Sequence, residues 1–431
     1  MTGRWVRKLN ESDICLFGFF FIIFCFYLGL IQLVLLPFVF PAFHETSGIM
    51  KGASDTLYFH GLALDLLEKM NIHGWDAWQI NYKGQSPAGI AAAFYYIFTP
   101  RPFVLIPFTA FAHSLSGVML LKTMRLIFCD SRLFFFAVLP FLLMPSTTVW
   151  LVNFHRDPYF ILGFFMVIYA HTLLFSDSGR FSKKGECLLW FAVGGFLVWL
   201  ARPYALDIIA VLSVVSLLCL GFRIRNSWVP KMVISIFISV ILLFLVMGSE
   251  VKRIKMADPP RPGITGMIQG MVEKKFTAFA KDRDRFNRLT EATGSSLDTD
   301  LGFFSLSDVM AYVPRALQIA LFAPFPGTWF EKDASIFKRG AAMEMILFYI
   351  AYGSFFLMCI RKKLTITVVP ALIFALGLVL FQGLVVSNVG ALYRMRYGAI
   401  MIFVTLPLAY LCSEPVKAGA KPVKIIKSLE K

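Results

Sequence analysis

The sequence is short of charged side chains for a chain of 431 residues. Only 16% of its residues are Asp, Glu, Lys or Arg, whereas 58% are hydrophobic and Phe alone occurs 46 times. The mean hydropathy is +0.70. So few polar side chains do not cover the surface of a water-soluble protein of this size. A soluble fold is therefore excluded, and the bilayer is the expected solvent for much of the chain.

Signature motifs for several kinds of chemistry are also missing. The seven cysteines form no CxxC pair and no Cys/His cluster with metal-ligand spacing, so neither a disulfide framework nor a zinc centre is expected. The sequence contains no GxxxxGK[ST] phosphate loop, no HExxH and no GxSxG. Nucleotide-driven transport and zinc-dependent hydrolysis therefore have no support.

Long apolar blocks predict ten membrane-spanning helices, because blocks of about 20 residues match the bilayer and barrel strands are about half as long. We predict an all-α polytopic membrane protein, with one transmembrane domain over residues 1–431. Two large outer loops, 41–102 and 250–339, and a tail, 413–431, complete it. The predicted spans are 14–40, 103–121, 133–150, 158–175, 187–201, 204–220, 232–249, 340–360, 366–387 and 396–412.

Basic residues distinguish the two sides of this arrangement. All six segments on the side of the amino terminus are short and basic, from Arg4, Arg7 and Lys8 to the five lysines of the tail. By the positive-inside rule, both termini are cytoplasmic and the large loops are extracytoplasmic, with the inner (plasma) membrane as the predicted location. The net charge of +16 is then explained by orientation and anionic lipid, not by nucleic acid.

Two acidic positions are candidates for chemistry. Asp55 lies on a predicted helix, Ser54–Met70, in the first outer loop, where a carboxylate can accept a proton from a sugar hydroxyl. The alternative is that Asp55 only complements a helix N-terminus. His155-Arg156-Asp157 lies between two spans, where polar residues are costly unless they pair or bind a ligand. A self-satisfied Arg–Asp pair is the alternative there.

Four arginines are predicted on the side that is otherwise poor in basic residues: Arg202, Arg315, Arg394 and Arg396. Arg binds phosphate through two parallel hydrogen bonds and stays charged. Snorkelling to lipid phosphates is the alternative for each of them. We predict that at least two face one cavity shared with Asp55. Glu344, near the start of the eighth span, is expected to have a buried partner.

Several short motifs follow one another along the chain: Asp55-Thr-Leu-Tyr-Phe-His60, Gly84-Gln-Ser-Pro87, Arg156-Asp157, Leu200-Ala-Arg202-Pro203, Ala342-Met-Glu344-Met, and Asn388-x-Gly390 with Arg394-x-Arg396. In this order they resemble the GT-C superfamily of membrane glycosyltransferases that use polyprenyl-phosphate sugars, family 39 among them. The resemblance implies transfer of a sugar from a lipid-linked donor to a cell-envelope glycan or lipid acceptor outside the cytoplasm. One departure is that Thr56 follows Asp55, where well-known members often have a second acid.

The resemblance also implies roles for individual residues. Asp55 is the expected catalytic carboxylate. No metal ligand is predicted, although many family members use a divalent metal ion. Residues expected to bind substrate are His60, His155, Arg156, Asp157, Arg202, Arg315, Glu344, Arg394 and Arg396.

Other functions stay open at this stage. A polymerase or ligase for O-antigen or capsule polysaccharide also handles lipid-linked glycans, and Arg394 with Arg396 fits it. A transporter or flippase predicts ionisable residues or broken helices near the bilayer midplane, and the predicted spans lack central charges. An assembly subunit without catalysis is a further alternative.

Overall fold

The computed structural model describes residues 12–45, 47–51, 54–128, 134–176, 182–223, 280–284, 287–288, 296–301, 303, 306–330, 336–361 and 365–413. Within these residues the chain is helical and contains no β-strand, so the predicted all-α class is confirmed. The predicted span 232–249 and much of the predicted second loop lie outside the described residues.

Fourteen α-helices are named within the described residues. They are α1 (Asp13–Leu30), α2 (Ser54–His73), α3 (Ser86–Ile97), α4 (Ile106–Ile127), α5 (Leu139–Leu143), α6 (Pro145–Val152), α7 (Asp157–Phe175), α8 (Ser182–Ala201), α9 (Pro203–Arg223), α10 (Leu306–Phe322), α11 (Ile336–Ile360), α12 (Val369–Val385), α13 (Val389–Met395) and α14 (Tyr397–Cys412). A π-helical segment, Ile31–Val39, continues α1.

Six segments of the described chain are long and apolar enough to cross a bilayer: Asp13–Val39, Pro102–Ile127, Asp157–Phe175, Pro203–Gly221, Arg339–Ile360 and Ile366–Val385. Two bent pairs add to them. Phe134–Leu143 and Pro145–Val152 meet at 48°, and α13 and α14 meet at 57°. The predicted span at 187–201 is a shorter apolar helix, Gly185–Ala201. The described residues therefore have the helices of a multi-pass membrane protein, with six candidate spans, or up to eight if each bent pair is one span, against the ten predicted.

The bend between α5 and α6 has a local cause. Pro145 has no backbone N–H to donate, and its ring disfavours helical geometry at the residue before it. Met144 accordingly has φ −60° and ψ 126°, outside the helical region. The break leaves carbonyl and amide groups without partners inside the helix, and other helices supply them. The Tyr397 hydroxyl donates to the Phe141 carbonyl at 2.5 Å.

Helix α7 lies at the centre of the bundle and α1 at its edge. In the span that contains α7, 94% of an apolar 18-residue stretch is buried inside the protein, against 22% in the span that begins with α1. Two glycines bring α7 and α8 close together. A Cβ atom on Gly163 would lie 2.6 Å from the Gly194 carbonyl oxygen, and one on Gly194 would lie 2.7 Å from that of Gly163. Small residues permit such crossings in membranes. This crossing places the residue after α8, Arg202, beside the start of α7.

The two ends of the bundle differ in their polar contacts. The described residues between α1 and α4, which are 40–45, 47–51 and 54–101, lie at one end, which is called the first-loop end below. At the opposite end, Arg125 Nη1 donates to Asp13 Oδ1 at 2.8 Å, and Lys122 Nζ lies 3.7 Å from Asp13 Oδ2. These contacts dock the start of α1 onto α4, and they show that Lys122 and Arg125 share one end of the bundle.

Candidate functional site

Four charged side chains from distant parts of the sequence form an ion-pair chain at the first-loop end. Arg394 Nη2 donates to Asp55 Oδ2 at 2.9 Å. Arg394 Nε lies 3.3 Å from Asp157 Oδ2. The other oxygen of Asp157, Oδ1, accepts a hydrogen bond from Arg202 Nη2. The order Asp55–Arg394–Asp157–Arg202 alternates in sign, so each inner charge has a neighbour of opposite sign.

The ion-pair chain runs from solvent into the protein. The exposed fraction of the side chain is 49% for Asp55, 20% for Arg394, 10% for Asp157 and 5% for Arg202. A ligand arriving from water therefore meets Asp55 first. The inner pair, Asp157 and Arg202, is buried, so it holds the geometry of the site and is not itself open to solvent.

Helix starts and helix ends place these four side chains. Asp55 and Asp157 lie in the first turns of α2 and α7, where unpaired N–H groups favour anions. Arg394 lies in the last turn of α13, and the Asn388 side chain caps the start of that helix by accepting from the Ala391 amide at 2.8 Å. Arg202 occupies the junction between α8 and α9.

Asp55 has the protonation state that a general base requires. Burial raises the pKa of its carboxyl, but the charge and hydrogen bond of Arg394, followed by His155 and Arg156, outweigh burial. The pKa of Asp55 is therefore below its ordinary value, and the group is ionised at neutral pH. Because its side chain is about half exposed, the carboxylate also has room to meet a ligand.

His155 contacts the ion-pair chain at Arg394. Its Nε2 lies 3.1 Å from Thr56 Oγ1 and 3.4 Å from Arg394 Nη1. A guanidinium only donates, so Nε2 is assigned as the acceptor and Nδ1 as the protonated nitrogen of a neutral ring. Burial, followed by the charge of Arg394, lowers the pKa of His155 to about 4. The imidazole is therefore neutral at pH 7.

Acidification is expected to destabilise the protein through His155. Its pKa falls from 6.5 to about 4 on folding, so the neutral ring contributes stability above pH 6.5 that is lost as the pH falls through about 4. The full difference is roughly 3 kcal/mol. Thermal denaturation of the purified protein between pH 7.5 and 4 measures the loss, and His155→Gln should flatten it. Equal pH dependence in the variant and the wild-type protein would contradict this assignment.

Arg156 differs from the other arginines of the site. Its Nη2 donates to Gln85 Oε1 at 3.2 Å, and its guanidinium lies 5.2 Å from the centre of the Phe59 ring. Within the described residues it forms no ion pair. Burial, followed by the charge of Arg202, lowers the pKa of Arg156, and the charge of Asp157 opposes this shift. Because its hydrogen-bond partner is a neutral amide, its positive charge is incompletely compensated among the described residues, and an added anion would stabilise it.

The remaining predicted site residues lie elsewhere. His60 Nδ1 is 2.9 Å from the Tyr95 hydroxyl and joins α2 to α3, and burial lowers the pKa of His60. Arg315 pairs with Asp298, with Nε 3.0 Å from Oδ2 and Nη2 3.2 Å from Oδ1, and so belongs to a separate cluster.

Arg396 differs from its predicted placement at the outer face. It is only 1% exposed, and its guanidinium donates to the carbonyl oxygens of Ile319, Ala320 and Ala323 at the end of α10. The last carbonyls of a helix lack intrahelical partners and carry partial negative charge, which explains why a cation is held there. Arg396 therefore caps a helix inside the protein, and its guanidinium has different partners from that of Arg394.

Glu344 has the buried partners that the sequence suggested. It is 5% exposed, with Oε1 accepting from the Ser146 amide and Oε2 from the Tyr393 hydroxyl, both at 2.6 Å. Of the four predicted outer arginines, Arg202 and Arg394 meet at one site, whereas Arg315 and Arg396 do not.

A cleft adjoins the ion-pair chain. Its walls come mainly from α6 and α7 and are apolar, and Asp157 and Arg394 supply its charged groups. The lining residues are Thr147, Trp150, Leu151, Asp157, Pro158, Ile161, Arg394 and Tyr397. The cleft is small, with a volume of about 20 Å³, and its apolar wall meets a charged edge, so it suits a small anionic group lying beside an apolar surface.

Sequence reasoning missed several contributors to the site. Thr56 contacts His155, Gln85 accepts from Arg156, and the Tyr204 hydroxyl accepts from Arg202 Nη1 at 3.2 Å. Gln85 falls within the Gly84-Gln-Ser-Pro87 segment that was singled out, so position gave a partial signal for it. Thr56 likewise falls within Asp55-Thr-Leu-Tyr-Phe-His60, whereas Tyr204 carries no such signal, because only the packing of the helices brings it to the charges.

A divalent metal does not fit the residues as they are arranged. Asp55 and Asp157 both contact Arg394, whose charge competes for their oxygens. In the part of the chain that the structure describes, no three His, Cys, Asp or Glu side chains are grouped to hold a metal ion.

No protein-family model, no curated protein and no solved structure matches this sequence or its fold.

Proposed function

We propose that this protein is a membrane glycosyltransferase that moves a sugar from a polyprenyl-phosphate-linked donor to a cell-envelope glycan or lipid acceptor. One observation carries the proposal: an exposed, ionised carboxylate, Asp55, is held by Arg394 near the incompletely compensated cation Arg156. A base and a phosphate-binding cation at one place are the two groups that this reaction needs. The resemblance of the motifs to GT-C enzymes supports the same conclusion.

The reaction follows from the charges. The acceptor hydroxyl attacks the anomeric carbon of the donor while Asp55 takes its proton, which later passes to solvent. A bond forms between the acceptor oxygen and the anomeric carbon, and the bond from that carbon to the phosphate oxygen breaks. The departing polyprenyl phosphate gains negative charge. Arg156, with most of its N–H donors uncommitted among the described residues, and Arg394 stabilise that charge.

We place the phosphate of the donor at Arg394, on the edge of the cleft, and its isoprenoid tail along the adjoining apolar surface that includes Trp150, Leu151 and Ile161. The cleft itself has a volume of about 20 Å³ and does not enclose the tail. The sugar of the donor then lies toward Asp55 and solvent.

Two alternatives receive less support. The polymerase or ligase alternative relied on Arg394 and Arg396 as a pair, and Arg396 instead caps α10 within the protein. The transporter alternative predicted broken helices, and the break at Met144 is one. However, the Tyr397 hydroxyl and the Glu344 carboxylate already bind groups on both sides of this break, which leaves less of the backbone free for a transported ion.

Binding of farnesyl phosphate to the purified protein in detergent tests the proposal. Trp150 lines the cleft, so its fluorescence should change on binding, and the same titration of Trp150→Phe isolates that signal. Arg156→Gln should weaken the affinity about tenfold or more, because it removes a charged partner of the phosphate. Arg315→Gln removes an arginine of a separate cluster and is the control. Equal affinity in wild-type protein and Arg156→Gln would contradict the proposed phosphate site.

A further inference from the structure

We infer that Glu344 is a positioning residue. Its carboxylate holds α13, which carries Arg394, in register with α6, which forms one wall of the cleft. The inference rests on the proposed function and deepens it. Glu344 does not line the cleft, so it acts through the groups it binds and not on the ligand.

The two oxygens of Glu344 are committed to two different elements. Oε1 accepts from the Ser146 amide in the first turn of α6, and Oε2 accepts from the Tyr393 hydroxyl on α13, both at 2.6 Å. Glu344 and Tyr393 are 5% and 4% exposed, so neither bond competes with water. A charged acceptor in a low-dielectric interior makes both bonds strong.

Each of these partners is followed in the sequence by a residue that lines the cleft. The first turn of α6 has N–H groups without helical partners, and the Glu344 carboxylate binds one of them just before Thr147 and Trp150. Tyr393 is followed immediately by Arg394, which contacts Asp55 and Asp157. One carboxylate therefore sets both sides of the cleft.

Helix α13 needs such support because it has only seven residues. A helix this short does not hold its own geometry, and its position comes from contacts at its ends. Asn388 supplies the contact at the start, and Tyr393 with Glu344 supplies one near the end. Small displacements of a catalytic group lower rates steeply, so the Tyr393–Glu344 bond matters for Arg394 although it lies outside the cleft.

A positioning role differs from a charge role in its response to Glu344→Gln. The amide oxygen of Gln accepts from the Ser146 amide, and its NH₂ group donates to the Tyr393 oxygen, so both links survive without the charge. Glu344→Leu breaks both links. A residue that acts by charge on the substrate would fail equally in the two variants.

Hydrogen–deuterium exchange of the full-length protein tests the link without any ligand. Tyr393→Phe should make the 389–395 segment exchange about tenfold faster or more, because it loses a bond to a charged acceptor. Tyr352→Phe is the matched control, since this tyrosine lies on α11 with Glu344 and donates to the Leu321 carbonyl at 3.1 Å. It should leave exchange of 389–395 unchanged. Unchanged exchange in Tyr393→Phe overturns the inference.

Farnesyl phosphate affinity supplies the functional arm. Glu344→Leu should weaken binding about tenfold or more, and Glu344→Gln should stay within a few-fold of wild type. Equal losses in both variants would overturn the positioning role in favour of a charge role. If the wild-type protein fails to bind farnesyl phosphate but Tyr393→Phe loosens 389–395, the proposed function fails and the link between Glu344 and α13 stands.

Discussion

Replacing Asp55 by Asn is expected to lower sugar transfer about 10²–10⁴-fold, which is the usual worth of a general base. Asn keeps the shape of the side chain and removes its ability to take a proton. The Asp55–Arg394 pair is half exposed at Asp55, and such pairs contribute little to stability, so the amount of folded protein should hold. Transfer from radiolabelled polyprenyl-phosphate hexose and pentose donors in membrane vesicles, with immunoblotting of the protein, measures both.

Glu68→Gln is the matched control for this variant. Glu68 lies on the same helix, α2, and is exposed, so the change also converts a carboxylate to an amide at that end of the protein. It should leave transfer near the wild-type rate. Transfer by Asp55→Asn at the same rate as Glu68→Gln would exclude Asp55 as the base.

Replacing Asp157 by Ala is expected to lower the free energy of unfolding by about 3–5 kcal/mol. The reason is that Arg202 would be left as a buried charge, since its side chain is only 5% exposed and Asp157 is its acidic partner. Thermal or denaturant unfolding of the purified protein measures the loss. Asp65→Ala, which breaks the ion pair of Asp65 with Lys83 at the surface, is the control and should change stability little.

A double variant separates the structural part of Asp157 from its part in the site. Asp157→Leu combined with Arg202→Met removes both charges, so much of the lost stability should return. Binding of farnesyl phosphate should not return, because Arg394 would still lack the carboxylate that orients its Nε. If Asp157→Ala unfolds no more easily than Asp65→Ala, the buried pair does not have the importance assigned to it.

Local features of the sequence determined that this is an all-α membrane protein. Apolar blocks of bilayer length predict helices wherever they occur, because the cost of unpaired backbone groups in lipid does not depend on neighbouring segments. Six predicted spans accordingly match candidate spans, 133–150 matches one bent pair, and 396–412 matches the second helix of the other. The position of Asp55 shortly after the first span also marked it from sequence as a loop carboxylate close to the membrane.

Only the tertiary structure decided which arginines meet. Arg202, Arg315, Arg394 and Arg396 look alike in sequence, but only Arg202 and Arg394 share a site, at Asp157, whereas Arg315 pairs with Asp298 and Arg396 caps α10. Side chains two residues apart on a helix point about 200° apart, so Arg394 and Arg396 diverge even before the bend between α13 and α14 separates them further. Hydropathy places a residue along the membrane normal and says nothing of its direction around the helix axis. That direction is set by packing such as the Gly163–Gly194 crossing, which brings Arg202 to Asp157.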